Sequence, residues 1–581
     1  MRFHFALGPV QSFVAQARRT RDLWAGSFLI SYLVANGIQA VLQQGGQMIF
    51  PAVTDTDGGV DDPLIARLTG TQDISDTLAT VPNRFVAEVL DDFDPLNCAR
   101  AIETAWARIE HAVWDAYVEP IESLGHETRE IWRRQVNGFW EISWALAEAE
   151  EMDVMDRRKN WRTGVGPSEG GIKCTMMPQF QEISGHYVST LRGEFWRALS
   201  VTLPPRELRE GEELSAVALI KRLFPGVAES AIGWAVPTHY PSTVDLAAQP
   251  WLGRQEKKNA PWFRMLQTYL RSDDVASKLI LGSGQIDASL WYESSRTNDR
   301  LWPQDSSAVR RQVGEVLEAA ESLPTPYYAV LLMDGDKLGE LLRTNDPGEV
   351  SRALKSFTQN VKPLLEADGG TLIYAGGDDV LALLPNNRVL EAALSLRDRY
   401  RQALVDCGGT ISAAIVYVHM HAPLTSVLRE AHRLLDQVAK DQNGRNSAVF
   451  ARWASQGPTT LFVSTWERLG TELGFSLRTL ADEVRTVVST RFLSKIQELE
   501  ARLGDARFIS REEWVDILHE EMERSTLERA ETSPQDLLTV MNALLCLAGG
   551  ASLPKERNGR LELTGAARLL RFLLGYEEEL A

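Results

Sequence analysis

The chain has 581 residues, 24% of them charged, and carries a net charge of −18. At roughly 150 residues per domain this length implies about four domains, each large enough for its own core. The acidic balance argues against a free-standing nucleic-acid binder, which is normally basic, so any RNA contact has to be local or shared with partners.

The amino-terminal segment reads as a strand followed by helices. Phe3, Phe5 and Leu7 alternate, Gly8-Pro9 ends the strand, and two helices are expected around Arg18, Arg19 and Arg21. The segment holds His4 and Gln11 where a leader stays apolar, and no run of 18 apolar residues occurs in the chain, so a cytoplasmic protein without membrane contact is expected. The four cysteines (98, 174, 407 and 546) have no pair spacing and suit a reducing compartment. Gly26 and Ser27 are small enough either for close helix packing or for the approach of a nucleotide. Residues 85–89 and 139–146 supply further strands. Trp132, Trp140, Trp144 and Trp161 cluster near the start of the connector that follows, as buried aromatics or as base-stacking platforms.

Residues 151–325 mix helical patterns with Pro/Gly-rich connections, including 164–171 and the loop around Pro237 and Pro241, and read as a mainly helical connector. Arg157-Arg158-Lys159 with Arg162, like the stretch from Arg18 to Arg21, is either a solvated face or a limited RNA contact.

The chemistry concentrates further on. Residues 327–333 form a near-continuous apolar run that stops at Asp334-Gly335-Asp336-Lys337, after which Leu338, Leu341 and Leu342 recur at helical spacing. Asp334 therefore sits at the carboxyl end of a buried strand, where ligands of α/β sheets gather. Asp336 reads either as part of that site or as the N-cap of the following helix. Residues 371–384 form a hairpin with Gly376-Gly377-Asp378-Asp379 at its tip, the glycines supplying φ > 0. Two carboxylates ~4 Å apart repel by about 4 kcal/mol at an effective dielectric of about 20, a penalty that a divalent cation turns into attraction. A metal site is the economical reading, and a solvated Gly-Gly turn is the plain one. Next, Leu428, Ala431, Leu434, Leu435 and Val438 mark one helix face, followed by Lys440 and then Gly444-Arg445-Asn446. Lys440 and Arg445 are candidate triphosphate clamps, or cations at a helix end. After residue 455 the pattern reads as helical throughout, with Leu469, Leu473, Leu477 and Leu480, then Leu537, Leu538, Met541, Leu544 and Leu545. A loop is expected at Gly549-Gly550 and 554–559.

Strand-Asp, Gly-Gly-Asp-Asp hairpin and Lys-x-x-x-x-Arg-Asn, in that order, resemble a nucleotidyl-cyclase palm of the GGDEF and CRISPR-polymerase superfamily over residues 327–450. Residues 1–31, Pro82-Asn83-Arg84-Phe85, Tyr240-Pro241-Ser242-Thr243, and the stretch from Gly211 to Arg222 with Leu214, Ala216, Val217, Ile220 and Lys221, resemble the large subunit of type III-B, or Cmr-type, CRISPR effector complexes. The resemblance implies an α+β fold with two ferredoxin-like palm domains. The first palm spans 1–150 and holds no metal site, a helical connector spans 151–325, the GGDD palm spans 326–455, and a helical domain spans 456–581. It implies two Mg²⁺ or Mn²⁺ ions with ATP on Asp334, Asp378 and Asp379. Nucleotide contacts are implied from Gly335, Asp336, Lys337, Gly376, Gly377, Lys440, Arg445 and Asn446, and across the palm pair from Gly26 and Ser27. The implied product is a cyclic oligoadenylate, made when the complex binds target RNA. The implied partners are other Cmr-type subunits, the guide crRNA and target RNA.

Two departures matter. Where relatives carry paired Cys-x-x-Cys motifs for zinc, this chain reads Cys174-Thr175-Met176-Met177 and Ser215-Ala216-Val217-Ala218, so no zinc is expected. None of the nine histidines is followed by Asp, so no His-Asp nuclease activity is expected. A stand-alone cyclase making a cyclic dinucleotide and a non-catalytic scaffold are the competing readings.

Overall fold

The computed structural model describes residues 1–148 except 56 and 71–78, 168–258 except 205–206, 264–266, 268–269, 287–296, 302, 306–318, 323–469 except 455–456, 490–503, 511–525, 540–541, 544 and 563–573. The basic stretch at 157–162 with Trp161, the leucines at 473, 477, 480, 537, 538 and 545, and the loop at 549–559 lie outside the described residues.

Four strands, β1 (Arg2–Gly8), β2 (Gln47–Phe50), β3 (Arg84–Glu88) and β4 (Glu141–Ala147), form an antiparallel sheet of order β2-β3-β1-β4. With helices α1 (Gln11–Ala15), α2 (Thr20–Gln43), α3 (Pro95–Val113) and α4 (Thr128–Val136), the chain order is β-α-β-β-α-β, the ferredoxin-like arrangement. β2 escaped the sequence reading because four residues with one exposed and three half-buried side chains carry no alternation. α2 is long and apolar enough to cross a membrane, yet 89% of its most apolar window is buried, because it is the core helix of this palm. Trp132 donates its indole N–H to Glu110 at 2.8 Å and Trp140 packs edge-on against Phe13 and Trp106. Trp132 is buried in the core of the first palm and Trp140 packs half-buried against it.

The described residues of the connector are mainly helical, in α5 (Ser189–Thr202), α6 (Ala216–Ile232), α7 (Thr243–Lys257) and α8 (Ser307–Glu318). The Tyr-Pro-Ser-Thr motif is a helix start. Ser242 Oγ accepts from the Asp245 N–H at 3.2 Å and Asp245 accepts from the Ser242 N–H at 2.7 Å, a reciprocal capping box on α7. Ser215 caps α6 more simply, its Oγ accepting from the Ala218 N–H at 3.3 Å with no reciprocal bond. Cys174 is buried, its Sγ accepting from the Met176 and Met177 N–H groups, and both methionine side chains are buried around it.

The connector is locked to α2 by buried charge. Arg222 holds Asp22 through two bonds of 2.6 and 2.9 Å and Glu212 through a third at 3.1 Å, all three side chains being essentially inaccessible. The Arg222 guanidinium keeps Asp22 at about 2 against the desolvation that opposes ionisation. Arg18, Arg19 and Arg21 pair with Glu212 and Glu207. Much of the charge of that basic stretch is thus turned onto connector carboxylates, while the Arg18 side chain stays exposed.

The second palm contains β5 (Tyr327–Gly335), α9 (Leu338–Thr344), α10 (Pro347–Ala367), β6 (Thr371–Gly376), β7 (Asp379–Pro385), α11 (Val389–Ala403), β8 (Ile411–His419), α12 (Leu424–Arg433), β9 (Ser447–Ala454) and β10 (Gly457–Thr465). The sheet order is β10-β9-β8-β5-β7-β6, so β6-β7-β5-β8 repeats the first palm's order and β9 adds parallel to β8. β5 is apolar at every position from 327 to 333 because both its faces are covered. Tyr328, Val330 and Leu332 join the core shared with the first palm and connector, while Ala329, Leu331 and Met333 pack on α10 and α11. The expectation of helix throughout after 455 fails at once: Gly457 at φ 105° turns the chain and Thr459 to Thr465 pair back on β9. Beyond β10, helices α13 (Thr490–Leu503), α14 (Arg511–Ser525) and α15 (Leu563–Leu573) follow, with α15 packed on β10 and α13.

Candidate metal and nucleotide site

β5 lies beside β7, with Met333 opposite Val380, so the end of β5 and the β6–β7 turn share one edge of the sheet. Gly376 pairs with Asp379 across the hairpin, which leaves a two-residue loop of Gly377 and Asp378. Only Gly377 has positive φ (66°), as a loop with glycine first requires. Gly376, expected to share that role, is instead a strand residue whose missing Cβ leaves room for the Tyr374 hydroxyl; that hydroxyl donates to the Gly376 carbonyl at 3.3 Å. Gly335 is required by crowding: a Cβ there would meet the Tyr400 hydroxyl at 2.5 Å and Asp378 Cβ at 2.6 Å. The Gly335 N–H donates to the Asp378 carbonyl at 3.2 Å, tying strand end to hairpin tip.

The result is a cluster. One carboxylate oxygen from each of Asp334, Asp378 and Asp379 lies within 4.8 Å of the others, with Asp334 and Asp378 half-buried and Asp379 exposed. Burial holds the Asp378 carboxyl well above the usual carboxylate range, and the neighbouring charges of Asp379 and then Asp336 push it the same way. The Lys440 ammonium, buried near the end of the π-helical turns that extend α12 (Leu434–Gln442), is ion-paired with Asp334 and lies 3.4 Å from the Gly335 carbonyl. Three hard oxygen donors that repel one another, with one lysine supplying the nearest positive charge, fit a divalent cation of the Mg²⁺ or Mn²⁺ type.

The other expected residues divide. Asp336 does not cap α9, whose N-cap is Lys337 at φ 56° with no side-chain bond. Asp336 is buried and accepts from Thr410 Oγ1, Ser412 Oγ and the Asn446 N–H at 2.8, 2.8 and 2.9 Å, so it ties the ends of β5, β8 and β9 together. Lys337 is exposed and paired with Glu340 at 3.0 Å, away from the carboxylates. Arg445, at φ 72°, pairs with Asp441 at 3.8 Å, and the Asn446 amide donates to Glu467 at 2.7 Å. Gly26 and Ser27 are buried within α2, and Gly26 faces the Lys221 side chain and Val14. Their small size serves helix packing and leaves no surface for a nucleotide.

Sequence reasoning passed over Tyr400, Thr410 and Ser412, which surround the strand ends from α11 and β8. No local motif marks them, since they lie 65 to 77 residues beyond the end of β5 at Gly335 and reach it only through β5–β8 pairing and the packing of α11 against the sheet. An open cavity of about 500 Å³ lined by Arg397, Tyr400, Arg401, Thr410, Asn446 and Glu467 adjoins this edge.

Two family models match the chain: the second palm domain of Cas10/Cmr2 over residues 327–449, and the N-terminal part of CRISPR-associated protein Cmr2 over residues 3–113. The curated CRISPR system Cmr subunit Cmr2 of Pyrococcus furiosus is 23% identical over 578 residues, taking in 84% of this chain and 65% of that protein. The chain thus spans just under two thirds of that relative's length. Two cryo-EM structures of type III-B Cmr-beta, one bound to cognate target RNA and one in the apo state, share the fold. Each has a TM-score of 0.63, at 13% and 15% identity, over 99% of this chain and 83% and 81% of theirs. Residues 3–113 thus match a Cmr2 N-terminal model and residues 327–449 a Cas10/Cmr2 second palm model, within a fold shared with the type III-B Cmr-beta structures.

Proposed function

We propose that this chain is the nucleotidyl-transferring subunit of an RNA-guided Cmr-type complex, converting ATP into 3′-5′ linked cyclic oligoadenylates for antiviral defence when the complex holds target RNA. The observation that carries this reading is the convergence of Asp334, Asp378 and Asp379 within 4.8 Å, with Lys440 paired to the first of them. In the reaction a ribose 3′-oxygen bonds to the α-phosphorus of a second ATP, the bond from that phosphorus to pyrophosphate breaks, and the hydroxyl proton leaves to solvent.

Two divalent cations on these aspartates supply activation of the attacking hydroxyl and neutralisation of the pyrophosphate. The chain's own residues set the geometry. Asp334 is fixed by β5, Asp378 and Asp379 by a two-residue turn on the neighbouring strand, and the β5–β7 ladder holds their separation. Lys440, beside Asp334, would supply a positive charge for the phosphates, and Arg445 in the following loop a second. Asp336, with three donors of its own, maintains the strand ends on which the site stands.

The presence of a target RNA in one Cmr-beta structure supports an RNA-dependent reading. The net charge of −18 agrees with RNA held mainly by partner subunits. A scaffold has no need of three carboxylates gathered against their mutual repulsion, and a stand-alone cyclase has no need of a Cmr2-type amino-terminal half. The test is the complex reconstituted with guide and matching target RNA, given ATP and Mg²⁺ or Mn²⁺, with products read by mass spectrometry. Oligoadenylates are expected, and Asp378→Ala with Asp379→Ala is expected to abolish them while pull-down of the partner subunits stays intact. Product from the double variant would overturn the assignment.

A further inference from the structure

Tyr400 stands on α11, fully buried, with its ring edge-on to Phe357 at 5.1 Å. Its hydroxyl has no hydrogen-bond partner. A buried unpaired hydroxyl costs on the order of 1–3 kcal/mol, so for packing alone phenylalanine is the better residue here. Tyr328 and Tyr417 also bury unpaired hydroxyls, but their surroundings hold none of the three clustered aspartates. Tyr400 differs in what lies next to it. The Tyr400 oxygen and Asp378 Oδ2 lie 2.5 and 2.8 Å from the one point that a Gly335 Cβ would occupy. The absence of a side chain at Gly335 is what lets the phenol and the carboxylate share that space. A phenol O–H facing a carboxylate has one available role, that of donor.

We infer that Tyr400 is a positioning residue for Asp378, its hydroxyl donating to the carboxylate on the side away from the bound cations and so fixing how that carboxylate presents its other oxygen. The inference rests on the metal-site reading above. A small rotation of the Asp378 side chain within the space left by Gly335 brings its carboxylate onto the waiting O–H. Hydrogen bonds of this outer kind orient metal-ligating carboxylates, and their loss weakens metal affinity roughly 10–100-fold.

The test is Mn²⁺ binding to the full chain without nucleotide, read by the loss of the free-ion electron paramagnetic resonance signal, together with the thermal midpoint. Tyr400→Phe keeps the ring. Its Mn²⁺ affinity is expected to fall about tenfold while the midpoint holds or rises, a combination that a packing role does not produce. Unchanged affinity in Tyr400→Phe overturns the proposal. So does an equal loss in Tyr417→Phe, which removes a buried unpaired hydroxyl elsewhere in the same palm and is expected to bind Mn²⁺ normally. Asp378→Ala separates the two levels: retention of full Mn²⁺ binding in that variant overturns the metal site itself, whereas its loss alongside unaffected Tyr400→Phe overturns only the role of the tyrosine.

Discussion

The Lys440 ammonium sits on the Asp334 carboxylate, so a lysine charge occupies part of the space a cation needs. Lys440→Met should therefore separate two functions. ATP turnover is expected to fall roughly 100-fold, the order seen when one preorganised donor to a developing anion is removed from an acyl-transfer site, while Mn²⁺ affinity holds or improves because a competitor is gone. Turnover against Mn²⁺ titration checks this, and weakened Mn²⁺ binding would contradict it.

Gly335→Ala drives a methyl group into space already shared by Tyr400 and Asp378. Overpacking of this kind costs about 1–3 kcal/mol. Loss of oligoadenylate synthesis with a lowered thermal midpoint is expected, and an active, stable Gly335→Ala would show that the strand end is looser than its contacts imply.

The buried Asp22–Arg222–Glu212 group ties the first palm to the connector. Arg222→Met strands two carboxylates without a counter-charge, and breaking a buried pair from one side costs about 3–5 kcal/mol. A large fall in thermal midpoint or insoluble expression is expected, whereas Arg108→Met, at an exposed site, should stay near wild type.

The same pair sets an acid limit. Asp22 titrates at about 2 in the folded chain against 3.8 ordinarily, so the unfolded state binds the proton more readily and stability is lost as pH falls. The contribution is whole above pH 3.8 and gone once pH drops through about 2. Urea unfolding from pH 5 to 2 should show Asp22→Asn less stable at the upper end and with a flatter dependence; parallel curves for the two proteins would refute this.

Much of the second palm was legible because local pattern and tertiary demand agree there. A strand buried on both faces has to be apolar throughout, so residues 327–333 marked β5 and its end, and a turn needing positive φ put glycine at 377. The buried face of α12 was likewise legible in the spacing of Leu428, Ala431, Leu434 and Leu435. β10 was not, since Leu461, Phe462 and Val463 make too short a run to tell a strand from a helix until β9 pairs with it. The role of Asp336 was hidden for another reason: its partners Thr410, Ser412 and Asn446 lie 74 to 110 residues away. Arg18, Arg19 and Arg21 looked available as a basic patch because nothing local reveals Glu207 and Glu212 across the connector.

Manganese anomalous scattering from crystals grown with a non-hydrolysable ATP analogue tests the metal-held carboxylate cluster most directly. Two peaks about 3.5–4 Å apart are expected, bridged by the carboxylates of Asp334, Asp378 and Asp379, with Lys440 displaced toward the phosphates. Nucleotide bound with no manganese peak at these three side chains, and Lys440 still on Asp334, would contradict it.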